Sequence, residues 1–167
     1  RQAEYEAEKK RQQSIAERTI DVFRIGEMQP ERDHNLQASE KSYVSDALGI
    51  NGREVRAGGF FSFDIKVDPA IQNNLMLTYL GDDRDSKFDI VADGKLIHTE
   101  TLTGGTTGKF YDREYTLPKD LLANKTVIKI RIESNYGKTA GRVFGVRTVR
   151  SKTADSDLSD FNQSDSV

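Results

Sequence analysis

The stretch FFSFDIKV constrains the fold more than any other part of the chain, because it alternates with a period of two. Phe61, Phe63, Ile65 and Val67 fall on one face, and Ser62, Asp64 and Lys66 on the other. In a helix this spacing would scatter the apolar groups around the axis, whereas in a strand it buries one side and wets the other. The same pattern recurs in TVIKIRIES, which puts Ile128, Ile130 and Ile132 on a common face. NLMLTYL is apolar on both faces, as a central strand is. FDIVADGKLIHTETL carries Asp93-Gly94 between two strand-like arms, a strong signal for a two-residue hairpin. That loop sets Asp89 opposite His98 and Ile90 opposite Ile97, so His98 reads as half of a cross-strand pair in preference to a catalytic residue. KFYDREYTL and RVFGVRTVR add two strands, and LPKDLLANK reads as one helical turn.

Many short strands separated by turn chemistry predict an all-β chain folded as an antiparallel β-sandwich or jelly roll. Phe61, Phe63, Ile65, Leu75, Leu77, Ile90, Ile128, Ile130 and Ile132 are the expected core. At 35% hydrophobic and 31% charged residues the core must be thin, which suits two layers that each give one face to water. The 167 residues make one ordinary domain with tails. Residues 1–19 have strong helix formers, no Gly or Pro and no convincing apolar stripe, and read as a solvated connector helix from a preceding domain. Residues 20–150 form the sandwich, and 151–167 a polar tail in which Asp155, Asp157 and Asp160 match no calcium loop. The start at Arg1, without a methionine or a signal-like stretch, reads as a fragment or a processed form.

Several function classes are disfavoured. A net charge of -2 gives no general attraction to nucleic acid or anionic lipid, and no apolar run could span a membrane. Without cysteine there are no disulfides, thiolate nucleophiles or Cys-based zinc sites. GGTTGKF lacks the spacing, the Ser or Thr after Lys109 and the following helix that a phosphate-binding loop needs. No cofactor is expected. Asp82, Asp83 and Asp85 in GDDRDSK could contribute to a structural calcium site, but their register fits no calcium loop and a solvated hairpin end is preferred. The pairs Gly58-Gly59 and Gly104-Gly105 are expected in turns with positive φ.

GEMQPERDHN concentrates charge around Pro30. Glu27, Glu31 and Asp33 could be imagined as a glycosidase carboxylate pair, but a charged, Pro-containing loop is more often a junction whose side chains satisfy free backbone groups. Pro30 biases Gln29 to an extended conformation, so a turn is expected here, with His34 and Asn35 opening a long strand through LQASEKSYV.

GEMQPERDHN, GGFFSFDIKV, FDIVADGKLI, GKFYDREYTLP and AGRVFGVRTVR occur in an order that resembles the C-terminal β-sandwich domain of bacterial β-L-arabinofuranosidase-type glycoside hydrolases, family 127 and its relatives, over about Thr19 to Arg150. The resemblance implies a galactose-binding-like jelly roll that follows a catalytic (α/α) barrel of the same polypeptide, in a periplasmic or extracellular setting. The family's cysteine nucleophile and the cysteines beside its zinc ion have no counterpart here, so the chain is expected to be a non-catalytic accessory domain supporting a hydrolase. The alternative is a carbohydrate-binding module for plant or host glycans. Tyr43, Tyr111 and Tyr136 keep that alternative open, and Asp82, Asp83, Tyr111 and Arg142 are the candidate sugar-binding residues at one loop end. Glu27, Gln29, Glu31, Arg32, Asp33 and His34 are the candidate domain-junction residues. Removing Glu31 or His34 is expected to weaken the parent enzyme more than this domain's own fold.

Overall fold

A computed structural model describes residues 1–152. Helix α1 (Gln2–Arg18) leads into β1 (Thr19–Phe23), a short helix α2 (Met28–Asp33) and the two-residue strand β2 (Gln37–Ala38). Strands β3 (Ser42–Ala47), β4 (Ile50–Val55), β5 (Phe60–Lys66), β6 (Asn73–Leu80), β7 (Arg84–Ala92), β8 (Lys95–Thr103) and β9 (Phe110–Thr116) follow. The helical turn α3 (Lys119–Leu122) and strands β10 (Val127–Glu133), β11 (Ala140–Val143) and β12 (Gly145–Arg150) complete the described chain. The stretch carrying Asp155, Asp157 and Asp160 lies outside the described residues.

The strands form three antiparallel sheets: a first of order β1-β12-β6-β9, a second of order β2-β5-β10-β7-β8, and a small third of order β11-β4-β3. The first two make the expected sandwich around a single core that contains every residue placed there from the sequence. The third sheet goes beyond the two expected layers. Phe61, Phe63, Ile90, Leu75, Leu77, Ile130 and Ile132 are fully buried, and Ile65 and Ile128 nearly so. Strand β6 is apolar on both faces because both are covered. Leu75, Leu77 and Tyr79 enter the core, while Met76 on the outer face packs with Ile15 of α1 and Val149 of β12.

Helix α1 is mostly solvated, as its composition predicts, but it is also fastened to the sandwich. Its Arg11 pairs with Asp112 at 2.8 Å and its Arg18 with Glu114 at 2.5 Å, both carboxylates belonging to β9. Arg18 Nε also donates to the Arg150 carbonyl.

Three local expectations are corrected. The β7–β8 hairpin does turn at Asp93-Gly94, whose φ values of 46° and 82° suit a type I′ loop. An irregularity between Ile90 and Val91 then shifts the register, so that Asp89 faces Thr99 and Ile90 faces His98. Asp89 accepts from the hydroxyls of Thr99 and Tyr136 instead of pairing with His98. Pro30 does not break a helix but lies in the first turn of α2, with Gln29 before it also helical. A first-turn residue has no intrahelical acceptor for its N–H, so proline forfeits nothing there. Beyond His34 the chain makes only the short β2, and a turn in which the Ser42 N–H donates to the Ser39 carbonyl separates it from β3.

Candidate functional site

The four loop-end residues expected to bind sugar come together in part. Asp83, in the β6–β7 turn, and Arg142, on β11, form a two-point ion pair, with Nε to Oδ2 and Nη2 to Oδ1 both at 3.0 Å. Arg142 also reaches the Ser45 hydroxyl, and hydrogen bonding to Asp83 holds its guanidinium above the ordinary arginine value. Asp82 accepts from the Gly108 N–H at 2.6 Å, which ties the β6–β7 turn to the loop before β9. Tyr111 turns the other way, inward against Tyr79 with ring centroids 5.7 Å apart, and its burial raises the phenol above its usual value. Asp82, Asp83 and Arg142 are thus engaged within the protein, and the cluster is a rigid rim.

The three carboxylates considered for calcium point to three different partners: Asp82 to Gly108, Asp83 to Arg142, and Asp85 to Lys138. Among the described residues no group of three His, Cys, Asp or Glu side chains is gathered around one point. Of the glycine pairs, only Gly58 and Gly104 have positive φ. Gly59 is needed for close approach, since a Cβ there would stand 2.6 Å from the Val55 side chain.

The rim borders a larger feature through Phe144, over whose ring the Arg142 guanidinium stands at 5.1 Å. A cleft of about 680 Å³ opens between α1, the outer face of the first sheet and the tip of the β3–β4 hairpin. Its size is that of a small-ligand site. Phe110 and Phe144 line it as a tilted pair with centroids 5.0 Å apart. Asp112 in its wall is committed to Arg11 and to the Thr78 hydroxyl. Lys109 and Asn51 bring an ammonium and an amide, and Lys109 is exposed. Sequence reasoning missed Phe110, Phe144 and Lys109. The alternation in GKFYDREYTLP does put Phe110 on the face of Asp112, opposite Tyr111, but only the Arg11–Asp112 contact shows that α1 covers this face.

The candidate junction residues make contacts within the domain. Glu31 accepts two hydrogen bonds from Arg53, at 2.9 and 2.8 Å, and one from the Gly26 N–H. His34 stacks on Phe23 at 4.5 Å, and its Nδ1–H donates to the Asp64 carbonyl at 2.8 Å. Gln29 donates to Asp33, and Glu27 lies 3.8 Å from Arg24 at the surface. Arg32 is exposed. Glu31 and His34 thus both join the α2 segment to strands of the domain itself.

A family model matches residues 14–149, described as a family of unknown function, DUF6805. The chain belongs to this family. No curated protein matches this sequence. Solved structures do share its fold. A family 35 carbohydrate-binding module from Clostridium thermocellum is 12% identical, with a TM-score of 0.54 over 70% of this chain and 93% of that one. An exo-β-1,3-galactanase from Phanerochaete chrysosporium, solved with β-1,3-galactotriose, is 12% identical with a TM-score of 0.55 over 68% of this chain and 27% of that one. The carbohydrate-binding module of Cellvibrio mixtus lichenase 5A, solved with cellotriose, is 13% identical with a TM-score of 0.50 over 80% and 98%. At these identities the likeness shows a jelly-roll fold shared with carbohydrate-binding modules.

Proposed function

We propose that this DUF6805 domain is a non-catalytic, glycan-binding accessory module, with its sugar site in the cleft between α1 and the first sheet. The observation that carries this reading is the juxtaposition of the Phe110–Phe144 rings with Lys109, Asn51 and the Asp83–Arg142 rim. Aromatic rings pack against the C–H faces of sugars, and fixed polar groups at the edge select hydroxyls. The fold shared with carbohydrate-binding modules supports it. So does the disposition of the charged α2 segment, whose Glu31 and Asp33 are engaged by Arg53 and Gln29.

The motif order supports a parent glycoside hydrolase of the β-L-arabinofuranosidase type, with a catalytic (α/α) barrel before α1 and a periplasmic or extracellular setting. No helix among the described residues is long and apolar enough to cross a membrane. Structural support of that barrel is the second reading. It is favoured by α1, because a helix held at Arg11 and Arg18 would transmit a fixed orientation to whatever precedes it.

A glycan array followed by calorimetry on the best ligand tests the binding function. Binding that Lys109→Ala and Phe110→Ala both weaken is the expected result. An array with no hits, from a chain that melts cooperatively, would leave the supporting role alone.

A further inference from the structure

A second cleft, of about 480 Å³, lies where β8 of the second sheet meets β9 of the first. His98, Glu100 and Leu102 share one face of β8, and Leu102 is fully buried. The alternation thus sets a carboxylate on the core side of an edge strand. Glu100 is only 6% exposed. Its Oε1 accepts from the Thr101 N–H at 2.9 Å and from Arg113 Nη1 at 2.7 Å, and its Oε2 accepts from the Tyr115 hydroxyl at 2.6 Å. Tyr115 meets Tyr79 oxygen to oxygen at 2.7 Å. Burial raises both phenols above their ordinary value, so they remain neutral donors.

Two groups at this seam have capacity left. Arg113 uses one guanidinium nitrogen on Glu100, and its side chain is 41% exposed. His98 is half exposed, its ring 5.3 Å from that of Tyr115, and its Nε2 stands 3.9 Å from Glu100 Oε2, too far for a hydrogen bond. The result is an anchored acceptor beside a donor fork, with an aromatic ring and Ile97 at the margin.

We propose that this seam is a second carbohydrate site, for a neutral sugar presenting adjacent hydroxyls. A hydroxyl both donates and accepts, so one can give its proton to Glu100 while its neighbour accepts from Arg113. An anionic ligand would meet Glu100 and a cationic one Arg113, whereas the close pair presents no net charge to a neutral polyol. Three donors inside the protein hold Glu100 in place, so little ordering is needed when a ligand arrives. The assignment rests on the glycan-binding reading above but uses a different face and different residues.

Amide NMR spectra of the whole chain, titrated with methyl β-D-galactopyranoside, methyl β-D-glucopyranoside and D-glucuronate, test it. A neutral glycoside should shift the amides of His98, Thr101 and Arg113 saturably. Arg113→Lys, which keeps the charge but removes the fork, should weaken that response by about fivefold or more, leaving shifts at Lys109 and Phe110 in place. His98→Ala, at an exposed position, should weaken it as well and guards against misfolding of the first variant. Shifts confined to Lys109 and Phe110 would overturn the seam site and leave the first cleft standing. Shifts confined to the seam would do the reverse. No response to any of the three sugars would count against both sites, and tighter binding of glucuronate at the seam would overturn the neutral-sugar assignment.

Discussion

Glu31 and Arg53 face each other across the α2–β4 junction in a parallel two-point ion pair, both side chains about nine-tenths buried, at 12% and 10% exposure. The same carboxylate takes the Gly26 N–H, so one side chain ties together the segment after β1, helix α2 and the middle of β4. Removing the carboxylate would leave a guanidinium nearly out of water without its counter-charge, and breaking such a pair costs about 3–5 kcal/mol.

Glu31→Ala should therefore lower the melting temperature of this chain itself by roughly 6–20 °C, taking about 2–4 °C per kcal/mol for a domain of this size. Glu27→Ala, at a half-exposed and loosely paired position, should change it by about 1–2 °C at most. Calorimetry on the two variants checks this, and equal effects would refute the structural role of Glu31.

The Arg18–Glu114 pair should make α1 docking depend on acid. Burial raises the Glu114 carboxyl, but hydrogen bonds from Arg18 and Asn74 outweigh it, and the group sits below its ordinary value of 4.5. A carboxyl with a lowered folded value gives stability that is complete above the unfolded value and disappears as pH falls through the folded one. The advantage of the native chain over Glu114→Gln, measured by thermal melts, should be constant near neutrality and should shrink below about pH 4.5. An advantage that grows on acidification would contradict the pairing.

Gly81 should tolerate no side chain. A Cβ there would lie 1.9 Å from the Thr106 carbonyl oxygen, a backbone atom that cannot swing aside. Gly81→Ala should destabilise by about 1–3 kcal/mol and shift the 104–109 loop. Gly94→Ala meets nothing within 4 Å, and only its φ of +82° opposes it. Its expected cost is about 1–2 kcal/mol, with no loop displacement. Amide spectra that move around Thr106 in the first variant and not in the second would confirm the distinction.

In the α1 cleft, Phe110→Ala should weaken glycan affinity by about tenfold, and Lys109→Ala by a smaller factor. Tyr43→Ala, on the β3 strand of the third sheet, serves as a control at an exposed aromatic and should leave affinity unchanged. Isothermal titration with the same ligand reads all three. A Phe110 variant that binds like the native chain would move the site elsewhere.

Alternation in FFSFDIKV and TVIKIRIES was enough to determine which side chains enter the core, because a strand's period of two leaves only one way to hide Phe61, Phe63 and Ile128 together. Asp93-Gly94 determined its own turn for an equally local reason: both residues accept positive φ. The register beyond that turn was decided elsewhere. One irregularity at Ile90 moves His98 from opposite Asp89 to opposite Ile90, and no local pattern announces it. Helix α2, in which Gln29 and Pro30 lie, is tied by Glu31 to Arg53, a residue 22 positions further along the chain. Both clefts belong to this second class. Phe110 of β9 meets Phe144 of the link between β11 and β12, and Glu100 of β8 meets Arg113 of β9 across two sheets, so the sequence supplied the chemical groups and the packing of the sheets decided which of them meet.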